Sequence, residues 1–104
     1  MKKILNMTVV FLFLVSVTQA GTIGDESKIE LGKQLFNDPA FAMSKNKKSC
    51  NSCHPDGKGI GEVENNDYTN MINRCIVGAL KGQVIEDDSK EMQAMQAYLN
   101  SLVQ

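Results

Sequence analysis

The chain has 104 residues, a formal net charge of −1 and only 6% aromatic residues. A balance this close to neutral argues against nucleic acid or an anionic membrane surface as partner. A chain this short also buries little core by itself and usually needs a staple, such as a metal, disulfides or a covalent cofactor.

The first twenty residues read as a secretory signal peptide. Lys2 and Lys3 give a positive start, Met7 to Val17 is mostly apolar, and Thr18 and Ala20 put small residues where a signal peptidase reads. The apolar run is about eleven residues, too short for a comfortable transmembrane helix. An uncleaved anchor is the competing reading. Cleavage after Ala20 leaves residues 21–104 as one domain with no membrane span, in which nine basic residues face twelve acidic ones, a formal charge of −3.

Residues 21–26 read as a loose polar leader. A helix is expected from Ser27, with Ser27 as N-cap and Glu30 completing a capping box. Ile29, Leu31, Leu35 and Phe36 give it an apolar side that includes Gly32. Glycine within a helix costs about 1 kcal/mol relative to alanine and is usually kept for close packing. Asn37-Asp38-Pro39 should end the helix. Residues 41–48 form a linker ending in Lys45, Lys47 and Lys48, read as a solvated loop or as a docking patch beside a cofactor edge.

The stretch with most chemical content is Cys50-Asn51-Ser52-Cys53-His54. It reads C-x-x-C-H, the attachment signature of a c-type haem. Residues at i, i+3 and i+4 share one face of a helical turn, so both thiols and the imidazole point the same way. The thiols can bond the two vinyl groups of one porphyrin, with His54 as proximal iron ligand. Pro55 should end the turn by disfavouring the helical region for His54. A zinc site would need two further ligands at similar spacing, and a thioredoxin-like pair would need a βαβ context. The chain offers only Cys75, no second histidine and no such context.

Gly57, Gly59 and Gly61 follow and allow turning and close approach to a ring. A second helix is expected over 67–80, with Met71, Ile72, Cys75, Ile76, Ala79 and Leu80 at three- and four-residue spacing, Asp67 or Asn70 as cap and Gly82 as stop. Asp88 and Glu91 suggest a capped C-terminal helix with Met92, Met95, Leu99 and Leu102 on its inner stripe and Tyr98 beside it. No strands or repeats are expected, so the fold class is all-α.

An N-terminal helix with a glycine, a C-x-x-C-H segment, a glycine-rich loop and a C-terminal helix with a tyrosine resemble class I cytochrome c domains. The resemblance implies a small helical domain wrapped around one covalent haem c, its terminal helices crossing with Gly32 against Tyr98. The second half, through Ile72-Asn73-Arg74-Cys75, Gly82 and residues 88–98, is similar to haem domains of thiosulfate dehydrogenases and Sox-type cytochromes. It also resembles monohaem cytochromes with histidine/cysteine ligation, such as paired-cytochrome subunits of anammox bacteria. These relatives imply Cys75 as distal iron ligand, a second cytochrome subunit as partner, and export to a periplasm-like compartment where haem c is attached.

From the residues alone the sixth ligand stays open. Met43, Met71, Met92 and Met95 offer thioethers, with Met92 and Met95 placed as core filler. Cys75 is the cysteine the attachment motif leaves unused, and Arg74 beside it favours a thiolate. A buried inert thiol, an intermolecular disulfide and an open iron are the other readings. Two metal ligands, His54 and Cys75, with Cys50 and Cys53 as anchors make up the expected site.

The expected function is an exported electron-transfer cytochrome of low potential, working with a redox partner protein within a heteromeric complex. A small-gas (NO or CO) binding protein and a haem subunit for sulfur-compound oxidation are the alternatives. With one haem motif, its single histidine committed and no acid–base constellation left, the chain is expected not to be an enzyme by itself.

Overall fold

A computed structural model describes residues 20–103, with side chains from residue 24 onward. The expected signal sequence lies outside the described residues except for Ala20. Four α-helices are present: α1 (Ala20–Phe36), α2 (Cys50–Cys53), α3 (Thr69–Gly78) and α4 (Lys90–Leu102). Three single 3-10 turns, Phe41–Met43, Pro55–Gly57 and Glu64–Asn66, link them, and the described residues contain no strand. The all-α expectation is met.

α1 begins at Ala20, so residues 21–26 are helical and Ser27 lies within the helix instead of capping it. Once a helix is nucleated, each further residue adds a hydrogen bond at little cost, and no proline stands in this stretch to stop it. The C-terminal end falls where Pro39 requires. Asn37 Nδ2 donates to the Lys33 carbonyl at 2.9 Å, and the Ala40 N–H donates to Asp38 Oδ1 at 2.8 Å.

The main helix–helix contact is α1 against α4. A Cβ built on Gly32 would lie 2.1 Å from the Ala94 carbonyl oxygen and 2.6 Å from Tyr98 Cβ. Only glycine lets the two backbones come this close. One turn later Phe36 meets Tyr98 edge-on, ring centroids 5.3 Å apart and planes at 60°, an arrangement worth about 0.5–1.5 kcal/mol beyond burial. Gly32→Ala is therefore expected to destabilise the haem-loaded protein by about 1–3 kcal/mol, the range for overpacking a tight contact, despite alanine's better helix propensity. Thermal denaturation checks this, and an unchanged or raised midpoint would contradict it.

α4 is capped by Ser89 and not by Asp88. Its Oγ accepts from the Met92 N–H at 3.0 Å. Met92, Met95, Tyr98 and Leu99 are buried as the stripe requires, but Leu102 is 40% exposed. By the last turn the helix has run past the core, and Leu102 rests on the loop at Gly57.

α3 starts two residues later than expected, and neither Asp67 nor Asn70 is its N-cap residue. Tyr68 occupies that position, and its N–H donates to Gln96 Oε1 of α4 at 2.6 Å. Gln96 Nε2 also donates to Thr69 Oγ1 at 3.1 Å, and Asp67 Oδ1 accepts from the Thr69 N–H at 3.0 Å. At the other end Lys81, not Gly82, takes the left-handed conformation, with φ +57°. Gly82 serves close approach instead, since a Cβ there would sit 2.6 Å from the Ala42 carbonyl oxygen.

The core comprises Phe36, Phe41, Tyr68, Ile72, Ile76, Leu80, Met92, Met95, Tyr98 and Leu99. No described helix is long and apolar enough to cross a membrane.

Candidate functional site

α2 is a single turn, and its neighbours hold it. The Ser49 N–H donates to Ser52 Oγ at 3.0 Å, closing the turn from its start. The His54 N–H donates to the Cys50 carbonyl at 2.9 Å, closing it at the end. His54 then leaves the helical region at φ −128°, ψ 70°, as the following proline demands. Asn51 Oδ1 accepts from the Asp56 N–H at 2.8 Å, so a variable position of the motif pins the loop that follows.

The His54 ring is oriented by that loop. Its Nδ1 lies 2.9 Å from the Lys58 carbonyl oxygen. A carbonyl can only accept, so Nδ1 carries the proton and Nε2 keeps its lone pair free for a metal. Gly57, Gly59 and Gly61 all have positive φ, between 81° and 85°, which makes the tight return possible. A Cβ at Gly59 would lie 3.5 Å from His54 Nδ1.

Cys50, Cys53 and His54 border an apolar cleft that is partly open to solvent. Phe36, Ile60, Ile72, Ala79, Leu80, Met95 and Leu99 supply its apolar walls, and α3 brings Met71 and Cys75 into the same lining. Met43, 65% exposed, and Met92, fully buried, are not part of it, which removes two of the four methionines considered as ligands. Cys50 and Cys75 are half-buried and Cys53 is exposed. Burial first, and the neighbouring Cys75 second, push the Cys50 thiol up from 9.0 to about 11.

The donor set fits haem c. Two thiols and one free imidazole nitrogen border one apolar cleft, and two sulfur residues stand in its α3 wall, the donor types and apolar surroundings that a c-type haem takes. Among the described residues no group of three or more His, Cys, Asp and Glu is placed to hold a bare metal ion. Sequence reasoning missed the Lys58 carbonyl and the Gln96 clamp. Lys58 acts through its backbone, which leaves no side-chain signal. Gln96 is a polar residue flanked by Met95 and Ala97 on an amphipathic helix, a signal that was legible.

Residues 26–104 match the family model described as di-haem cytochrome c peroxidase. No curated protein and no solved structure matches. The match corrects the expectation that the chain is not an enzyme, because the family is one of enzymes. That expectation rested on the lack of an acid–base constellation, yet haem carries the hard chemistry itself and asks of the protein mainly ligation and burial. The family is described as di-haem, whereas this sequence has a single C-x-x-C-H.

Proposed function

The chain belongs to the di-haem cytochrome c peroxidase family, and from that membership we propose that it is the electron-transferring haem c unit of a peroxidase-type enzyme. In this reading Cys50 and Cys53 anchor one haem, His54 is the proximal ligand and Cys75 the distal one. The observation that carries it is the meeting of Cys50, Cys53, His54 and Cys75 around one apolar cleft.

The chain is a c-type cytochrome in electron transfer. Bound in the cleft, haem c supplies a one-electron iron couple. The protein's own groups set how that couple behaves. The His54 Nδ1–H donates to the Lys58 carbonyl, which fixes the ring and its tautomer. The apolar walls keep water away. Cys75, an anionic sulfur when it ligates, favours ferric iron and lowers the potential. The second haem implied by the family then lies on a partner cytochrome subunit. Residues 1–20 direct the chain to an extracytoplasmic compartment, where cytochrome c maturation takes place.

Haem staining after denaturation tests the anchors. The mature chain should keep one haem covalently on its 84 residues (104 less 20), and Cys53→Ala should lose most of that yield. An electron paramagnetic resonance spectrum of the ferric protein tests the distal ligand, with a thiolate-type low-spin signal expected. Sedimentation of protein from its native source tests the partner. A lone monomer at micromolar concentration would sink that part of the reading.

A further inference from the structure

Resting on the assignment of the cleft to haem c with Cys75 as its ferric ligand, we propose that α3 carries two alternative ligands that exchange with redox state. Cys75 holds ferric iron and Met71 holds ferrous iron.

Met71 and Cys75 are four residues apart on one helix, so their Cβ atoms are roughly 5–6 Å apart on the same face. Both line the same cleft. Both are also only half-buried, unlike Met95, which is 1% exposed and packed into the core. Met71 therefore keeps side-chain freedom that a core methionine has lost, and its unbranched thioether has three rotatable bonds to use it.

The backbone that carries the pair is held along its length. Gln96 holds the start of α3 through the Tyr68 N–H at 2.6 Å. Asn73, between the two sulfur residues, donates to the Ile85 carbonyl at 3.0 Å and accepts from the Ile85 N–H at 2.9 Å. The Gly82 N–H donates to the Ile76 carbonyl at 2.8 Å beyond its end. An exchange between the two ligands thus proceeds chiefly by side-chain rotation against a fixed helix.

Charge sets the direction. In an apolar cleft a thiolate is tolerable opposite ferric iron but leaves an unbalanced negative charge once iron is reduced. When one electron arrives from a reduced redox protein, ferric iron becomes ferrous. The iron–Cys75 bond then breaks with its electron pair on sulfur, which takes a proton from solvent to become a thiol. Met71 Sδ donates a lone pair to the vacated position. Oxidation reverses each step, and the electron and the proton both leave.

The test compares the haem-loaded full chain with its Met71→Leu variant, each reduced with dithionite. Both should show the same ferric thiolate resonance. The ferrous wild type should show a low-spin thioether-type absorption spectrum, and the ferrous variant a high-spin one. The carbon monoxide association rate should rise roughly tenfold or more in the variant, because a competing ligand worth only about 1.4 kcal/mol already slows access tenfold. Cyclic voltammetry of the wild type gives a second measurement free of any mutation: separated oxidation and reduction waves should merge as the scan slows. A Met71→Leu variant with wild-type ferrous spectrum and carbon monoxide rate overturns the exchange and leaves Cys75 ligation standing. Ferric wild type without a thiolate signal overturns the Cys75 assignment itself, and the exchange with it.

Discussion

A chain carrying Cys50→Ala and Cys53→Ala, unable to hold haem covalently, is expected to lose its cooperative unfolding transition. The core explains why. Of its ten buried members, Phe36, Ile72, Leu80, Met95 and Leu99 also line the cleft, so half the core borders the place proposed for haem. With the cleft unfilled, those side chains lose their contacts on one face, and a void returns none of that dispersion energy. Domains of about 84 residues are stable by only about 4–13 kcal/mol in total, at 0.05–0.15 kcal/mol per residue. Losing packing at five of ten core positions is large on that scale. The α1–α4 crossing at Gly32 and the Phe36–Tyr98 pair should keep some helix, giving a broad, weakly sloping melt. Circular dichroism during heating measures this against the haem-loaded protein. A sharp transition near the haem-loaded midpoint would show that the polypeptide carries the fold alone.

Much of this arrangement was legible in the sequence because it rests on local rules. The i, i+3, i+4 spacing of Cys50, Cys53 and His54 put three groups on one turn, and Pro55 ended that turn at His54. The three glycines after it had to permit a return, and all three have positive φ. Gly32 inside a helix asked for a close neighbour and has Ala94 and Tyr98. What the sequence hid depends on tertiary partners. Asp67 does accept from the Thr69 N–H at the α3 start, but the N-cap position falls to Tyr68, whose N–H is held by Gln96 from a different helix. Asp88 was expected to cap α4, but Ser89 is the residue whose side chain reaches the Met92 N–H. Gly82 looked like a stop, but the left-handed residue is Lys81, and Gly82 instead lets the Ala42 carbonyl approach. Catalytic class was hidden for another reason. A cofactor that brings its own chemistry leaves few catalytic side chains to read.

Cys75→Met is expected to raise the reduction potential by on the order of hundreds of millivolts, a sizeable part of the roughly 0.8 V that axial ligands span across haem proteins. With Cys75 as the proposed distal ligand, the substitution exchanges an anionic donor, which stabilises ferric iron, for a neutral thioether, which stabilises ferrous iron. Geometry favours a clean exchange. Residue 75 already lines the cleft on a helix anchored at Gln96, Asn73 and Gly82, so a thioether is delivered to the same wall. Methionine is longer than cysteine, and the neighbouring wall residue Ala79 is small and exposed, so the extra length has room. Cys75→Ala removes the sulfur altogether and should also raise the potential, because Met71 from the same face becomes the ligand in both redox states. Cys75→Ser keeps the size but offers a hydroxyl that is a weak ligand for ferric haem, and it should follow Cys75→Ala in its spectrum. Potentiometric titration of the three variants, with the ferric resonance spectrum of each, makes the comparison. If Cys75→Ala keeps both the wild-type potential and the wild-type ferric signal, the iron never felt this sulfur, and the cleft holds a histidine/methionine haem with Met71 as its ligand throughout.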